Sequence, residues 1–350
     1  MEKNPYNLTF GKEPIQVISR AGQMIEITEA FRGEPASQQI FMITGVRGSG
    51  KTVFMTEAAK ELSQSDEWVV VELNSSGDLL QDLAASLASE NTLARIFQNA
   101  SINLSLFGIG LEVKESVPIS NIQVALSKML ASLKKHGKKA LICIDEAIPS
   151  DNMKTFAGAF QILIRQDLPV YLLMTGLYEN INNLQNEKNL TFLYRAPKIE
   201  LKPLNIRHIA ENYRNNFRID TEDAKEMAAL TKGYPFAFQV LGYFTWKNKG
   251  DHRKALPEFR QYLEDYVYEK IWSEMSEIDR RLAYGAAKAE NGRAKEIKAL
   301  MEISDDEYSV YRDRLIKRGI LDGSKRGYIR FTLPLFDEYV VFTYDIDKAN

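Results

Sequence analysis

The stretch Phe41–Leu62, FMITGVRGSGKTVFMTEAAKEL, constrains this 350-residue chain more than any other. An apolar run (Phe41, Met42, Ile43) breaks into Gly45-Val46-Arg47-Gly48-Ser49-Gly50-Lys51-Thr52, and a helical pattern starts at Val53. The octapeptide fits GxxxxGK[ST] with a strand in front and a helix behind, the context that pattern requires. Gly45, Gly48 and Gly50 let the backbone wrap an anion with its N–H groups pointing inward. The following helix sets the positive end of its dipole under the same charge. Lys51 can then reach the β- and γ-phosphates, and Thr52 can offer a hydroxyl to Mg²⁺. The competing reading, a Gly-rich turn before an ordinary helix, is the weaker one. Gly45 through Val53 are therefore expected to hold a nucleoside triphosphate.

A second pattern lies downstream. Ala140–Glu146, ALICIDE, is a buried-strand run ending in two carboxylates, the Walker B pattern. A parallel strand would deliver both acids to the sheet edge where the phosphate loop sits. Asp145 is expected to hold Mg²⁺, directly or through water, and Glu146 to polarise the attacking water. Alone, such a run is a weak signal; its distance from the phosphate loop strengthens it. Thr175, at the end of the strand Pro169–Thr175, either touches the γ-phosphate or caps the next turn.

The length predicts two or three domains. Strands are expected at Phe41–Ile43, Glu67–Leu73, Ala140–Asp145, Pro169–Thr175 and Lys198–Leu201, with helices between them. Ser101–Val113 alternates around Gly108 and predicts a hairpin. Ser120 is the expected cap of the helix carrying Leu126, Met129 and Leu133. With 45 basic and 47 acidic residues, net charge −2, nucleic acid gains no global attraction, so any such binding needs a local patch. One cysteine, Cys143, excludes an internal disulfide framework and fits a reducing cytoplasm. His136, His208 and His252 are scattered and predict no zinc site. The polar N-terminus predicts no signal peptide, and no apolar run approaches the length of a membrane span.

From Asn205 only helices are expected, with Thr221 as one cap and Gly233-Tyr234-Pro235 as an interruption before Phe236–Trp246. A further helix is read over Pro257–Trp272. The last segment predicts helices at Ser276–Lys288, Ala294–Met301 and Asp305–Arg318, then a turn and a strand at Tyr328–Leu333. Three short helices followed by a ribbon form a winged helix-turn-helix pattern. Arg293–Arg330 holds ten basic residues against seven acids. Arg312, Arg314, Lys317, Arg318, Lys325, Arg326 and Arg330 are the candidates for contacts with double-stranded DNA phosphates. So weak a surplus equally fits a winged helix that packs on protein.

The combination resembles ATPases near the boundary of the AAA+ and STAND groups, specifically the initiator-like, origin-recognition-type ATPases. GVRGSGKT, LICIDEA, the MTG strand, LYRAPKIELKPL, GYPFAFQVLGYF and the C-terminal YRDRLIKRGIL–FTLPLF carry that resemblance. It implies a P-loop α/β core over residues 1–204, a helical lid over 205–272 and a winged-helix domain over 273–350. The implied ligands are ATP and Mg²⁺, with adenine preferred over guanine on resemblance only. Arg195 lies where the family places a finger for a neighbour's γ-phosphate, which brings self-association with it; a surface salt bridge is the alternative. Pro235 resembles the GxP proline that lies over the nucleotide. Three positions depart from the pattern: Thr175-Gly176 stands where Asn is usual, the GYP segment has no sensor arginine in its first turn, and the adenine-framing element is reduced to Ser19-Arg20-Ala21-Gly22. A slow ATPase working as a nucleotide-controlled switch on DNA or a partner is expected; the alternative is a STAND-type regulatory scaffold that does not bind DNA.

Overall fold

The computed structural model describes residues 3–9, 14–111, 113, 116–188 and 190–349. The chain divides into two compact units. One comprises Arg20–Thr44 and Lys51–Glu200; the other comprises Met1–Ser19, Gly45–Gly50 and Leu201–Asn350.

The first unit is a five-stranded, all-parallel sheet clothed in helices. In chain order its elements are α1 (Ala21–Arg32), β1 (Ile40–Thr44), α2 (Lys51–Ser63), β2 (Trp68–Asn74), α3 (Leu79–Ser89), α4 (Asn91–Asn99), α5 (Ile122–Lys135), β3 (Lys139–Asp145), α6 (Asp151–Arg165), β4 (Val170–Gly176), α7 (Tyr178–Gln185) and β5 (Lys198–Glu200). The strand order is β2-β3-β4-β1-β5. Every residue of β1 and β4 is buried, as strands covered on both faces require, and both read as apolar runs that turn polar only at a threonine near the carboxyl end, Thr44 and Thr175. β1 pairs with β4 so that Ile43 faces Thr175 and Thr44 faces Gly176, while Ile144 of β3 faces Met174. That register brings the ends of β1, β3 and β4 to one edge. On α6, Ser150 caps the helix by accepting from the Met153 amide, and Met153, Phe156, Phe160 and Leu163 form the buried stripe.

Two local expectations change here. The Ser101–Val113 hairpin is a loop with one 3-10 turn at Ser105–Phe107 and no strand among its described residues; Glu112 lies outside them. The Asn103 amide donates to the carbonyls of Val113 (3.4 Å) and Ser116 (3.2 Å). A side chain thus satisfies backbone groups that a ladder would otherwise pair. The cap of α5 is Asn121 rather than Ser120, accepting from Val124.

The second unit is mainly helical: α8 (Ile206–Phe217), α9 (Thr221–Leu230), α10 (Pro235–Lys247), α11 (His252–Leu263), α12 (Glu269–Ser273), α13 (Glu277–Lys288), α14 (Ala294–Met301), α15 (Asp305–Lys317), β6 (Leu321–Asp322), β7 (Arg330–Phe331) and α16 (Phe336–Ala349). The cap of α9 is Asp220, not Thr221. α11 starts five residues before Pro257, at His252, capped by Asp251, and a π-turn over Glu264–Tyr268 joins it to α12. Ser276 and Ser304 open α13 and α15 with reciprocal capping boxes. β6 and β7 pair antiparallel, Leu321 opposite Phe331. Tyr6 of the N-terminal segment is buried against Tyr213, Phe217 and Phe238. Among the described residues no helix is long and apolar enough to cross a membrane.

Candidate functional site

At the carboxyl edge of the sheet, α2 starts directly at Lys51, and Thr52 and Val53 lie in its first turn. The Thr52 hydroxyl donates to Asp145 Oδ2 at 2.7 Å. The fully buried Thr175 donates its own hydroxyl to Asp145 Oδ1. Both carboxylate oxygens are therefore oriented before any ligand arrives. Thr175 does not cap α7, whose N-cap is Leu177; its hydroxyl goes to Asp145. Glu146 leaves the strand with φ +50°, a left-handed conformation uncommon for a residue with a side chain. Its amide donates to Asp145 Oδ1 at 3.1 Å and to Thr175 Oγ1 at 3.2 Å, which ties the bend down. The Glu146 side chain is exposed, next to a half-buried Asp145. A carboxylate and a hydroxyl side by side are the hard oxygen donors that Mg²⁺ selects, and one carboxylate is its usual share of protein ligands. The donor set fits that ion.

The loop Gly45–Gly50 packs within the helical unit. Gly48 and Gly50 have φ of +76° and +84°. The Tyr234 hydroxyl donates to the Arg47 carbonyl at 2.6 Å, and the Phe236 amide donates to the Gly48 carbonyl at 3.2 Å. A Cβ at position 48 would come within 2.1 Å of the Tyr234 oxygen, so both φ and space demand glycine there. Burial raises the Tyr234 phenol far above its ordinary pKa, which keeps it a neutral donor. Two consecutive loop carbonyls are thereby turned to α10. Pro235 opens α10 and lies 3.8 Å from where a Cβ on Gly50 would be, and Arg47 pairs with Glu274 at 3.4 Å. The turn delivering Tyr234 is set by Gly233, at φ +75°, whose carbonyl accepts from Leu204 at 2.7 Å.

Arg195 is exposed, at the end of a 3-10 turn before the edge strand β5. The seven basic residues of the C-terminal segment divide. Arg314 and Arg318 both pair with Asp279, which is 2% exposed, so their charge closes α15 onto α13. Arg312 donates to the Gly323 carbonyl at 3.0 Å, and Lys317 pairs with Asp313 at 3.5 Å. Lys325 lies over the Tyr328 ring at 4.2 Å, and Arg326 and Arg330 are exposed. Sequence reasoning finds neither Tyr234 as a loop contact nor Asp279 as an arginine anchor. Tyr234 carried a signal in its place beside Gly233 and Pro235; Asp279 carried none.

Solved structures of similar fold span nearly the whole chain. The Walker-type ATPase paby2304 of Pyrococcus abyssi superposes with a TM-score of 0.68 at 14% identity, covering 93% of this chain and 96% of that one. The ORC2 protein of Aeropyrum pernix, in its ADPNP–ADP complexes, gives 0.64 at 13% identity, with 98% of each chain covered. Cdc6p of Pyrobaculum aerophilum gives 0.50 at 12%, again with 98% of each. The fold is thus that of P-loop AAA+ ATPases of the Orc/Cdc6 type, as the sequence resemblance implies. A family model described only as a domain of unknown function, DUF8462, matches residues 265–340. A search of curated proteins finds no match.

Proposed function

We propose that this chain binds ATP with Mg²⁺ through Gly45–Val53 and Asp145, hydrolyses it slowly with Glu146 polarising water, and works as a nucleotide-controlled switch. One observation carries the reading most directly: the Thr52 hydroxyl lies 2.7 Å from Asp145, on a carboxylate whose other oxygen Thr175 holds. When bound, the ion screens phosphate charge; the chain's part is to orient Thr52 and Asp145 for it. Lys51 neutralises the β- and γ-phosphates, and Arg195 serves a neighbouring copy if the protein self-associates. Pro235 and Tyr234 report the state of the loop, because α10 already binds its Arg47 and Gly48 carbonyls.

In this reading residues 1–204 form the nucleotide core, 205–272 the lid and 273–350 a winged helix acting on DNA or a partner in a reducing cytoplasm. The Asp279 pairs favour the second reading, a regulatory scaffold whose winged helix packs on protein, since they remove Arg314 and Arg318 from the DNA-facing set. Titration of labelled ATP and ADP with Mg²⁺, followed by sizing, tests the core of the proposal. Lys51→Ala should abolish affinity, and Glu146→Gln should keep binding while blocking hydrolysis. Absence of any affinity in the unmodified chain overturns the proposal. DNA affinity that falls steeply with salt, and drops further in Arg326→Glu/Arg330→Glu, decides for DNA over the scaffold.

A further inference from the structure

Far in sequence from the phosphate loop, α9 and α11 bring Asp223, Glu226 and His252 together. One ligand atom from each lies within 4.8 Å of the others. Asp223 and Glu226 stand at i and i+3, one face of α9, and His252 is the first residue of α11. His252 is 2% exposed, and its Nε2 has no hydrogen-bond partner. A buried ring nitrogen left unpaired is costly and calls for a ligand. Its nearest acidic neighbour is Glu226 Oε1 at 3.4 Å, an ion-pair contact when the ring is protonated but not a hydrogen bond. That separation equals the edge of a tetrahedron with bonds of about 2.1 Å, close to 3.4 Å, the geometry of zinc with nitrogen and oxygen ligands.

We propose that Asp223, Glu226 and His252 form a site for one divalent transition-metal ion, zinc fitting best, which staples α9 to α11. An imidazole in the donor set selects zinc or its neighbours over magnesium. The cluster already collects positive charge: the Arg253 guanidinium bridges Asp223 Oδ1 at 3.0 Å and Glu226 Oε2 at 2.6 Å. Its side chain is 61% exposed, so a metal ion bound here would replace one cation by another. Asp223 is partly buried and Glu226 exposed, so water can supply a fourth ligand.

The test is calorimetric titration of the full chain with zinc chloride, cobalt chloride and magnesium chloride, with unfolding followed in parallel. Zinc should bind at one equivalent and raise Tm, cobalt should bind more weakly, and any magnesium heat, which belongs to the sheet edge at Asp145, should be the same in Asp223→Asn and Glu226→Gln as in the unmodified chain. The exposed-side variants Asp223→Asn and Glu226→Gln should each weaken zinc by about tenfold or more, an effect on the scale of lost metal-site partners. Arg253→Gln, which removes the competing cation, should tighten it. His252→Asn should lose binding; should that buried change unfold the protein, the two carboxylate variants decide alone. Lys51→Ala should leave zinc affinity unchanged, separating this site from the nucleotide. No zinc or cobalt binding, or one-equivalent binding that survives both carboxylate variants, overturns the proposal and leaves an ion-pair cluster only.

Discussion

Two aspartates, one in each compact unit, show how differently a carboxylate can be held. Asp145 ends a sheet strand and takes neutral donors, the hydroxyls of Thr52 and Thr175 and the Glu146 amide. Asp279 sits in the first turn of α13, almost fully buried, and takes the guanidinium groups of Arg314 and Arg318 besides Ser276. Neutral donors orient a carboxylate but leave its charge in place, whereas two arginines compensate it. The first arrangement is open to a cation; the second is complete. The same residue type is therefore poised for a ligand in one unit and structural in the other.

The widest separation between them should appear on truncation. Removing one partner of a buried ion pair strands the others, and Asp279→Ala also loses the reciprocal cap of α13 with Ser276. Its unfolding free energy in urea should fall by about 3–5 kcal/mol. A loss under about 1 kcal/mol, the range of exposed pairs, would make Asp279 no more structural than a surface acid.

A backbone change in the helical unit should come next. Gly233→Ala places a Cβ 2.6 Å from the Leu204 carbonyl oxygen at φ +75°. The left-handed conformation alone costs roughly 1–2 kcal/mol, and the clash adds to it, so about 2–3 kcal/mol in the same assay is expected. Because this turn presents Tyr234 to the Arg47 carbonyl, nucleotide affinity should weaken with it. Unchanged affinity at reduced stability would separate the turn from the loop it contacts.

Thr175→Val tests the neutral side of the comparison. It keeps the shape of a fully buried residue and removes one donor from Asp145. Hydrogen bonds to charged groups are worth about 1.5–3 kcal/mol, but Asp145 is only half-buried and water can replace the donor in part. Roughly 1–2 kcal/mol is expected by urea unfolding.

The nucleotide half of this picture is legible in the chain because its determinants are local. GVRGSGKT specifies a turn, a helix start and a hydroxyl within eight positions, and ALICIDE specifies a buried strand and its acids. Ser276 and Ser304 announce their helices for the same reason: capping acts over three residues. What stays hidden are contacts set by packing across large separations. Asp279 meets Arg314 across 35 residues, and Tyr234 meets Arg47 across 187. His252 belongs to α11 because that helix starts five residues before Pro257, where the sequence reading begins it, and this start sets His252 opposite Glu226. The Ser101–Val113 alternation misleads because Asn103 takes over the carbonyls a partner strand would have paired.

Asp145→Asn should give the smallest change in stability and the sharpest change in chemistry. Asparagine keeps the shape and can still accept from Thr52 through its carbonyl oxygen. Removing a charge held by neutral donors strands no counter-ion on them. The unfolding free energy without nucleotide should therefore shift by less than about 1 kcal/mol, against several for Asp279. In the presence of ATP the order reverses: Asp279 variants that remain folded should keep their Mg²⁺ dependence, while Asp145→Asn should bind ATP equally with magnesium or with EDTA. Should Asp145→Asn instead destabilise the protein as Asp279→Ala does, Asp145 would be a structural acid and the magnesium reading of the sheet edge would fail.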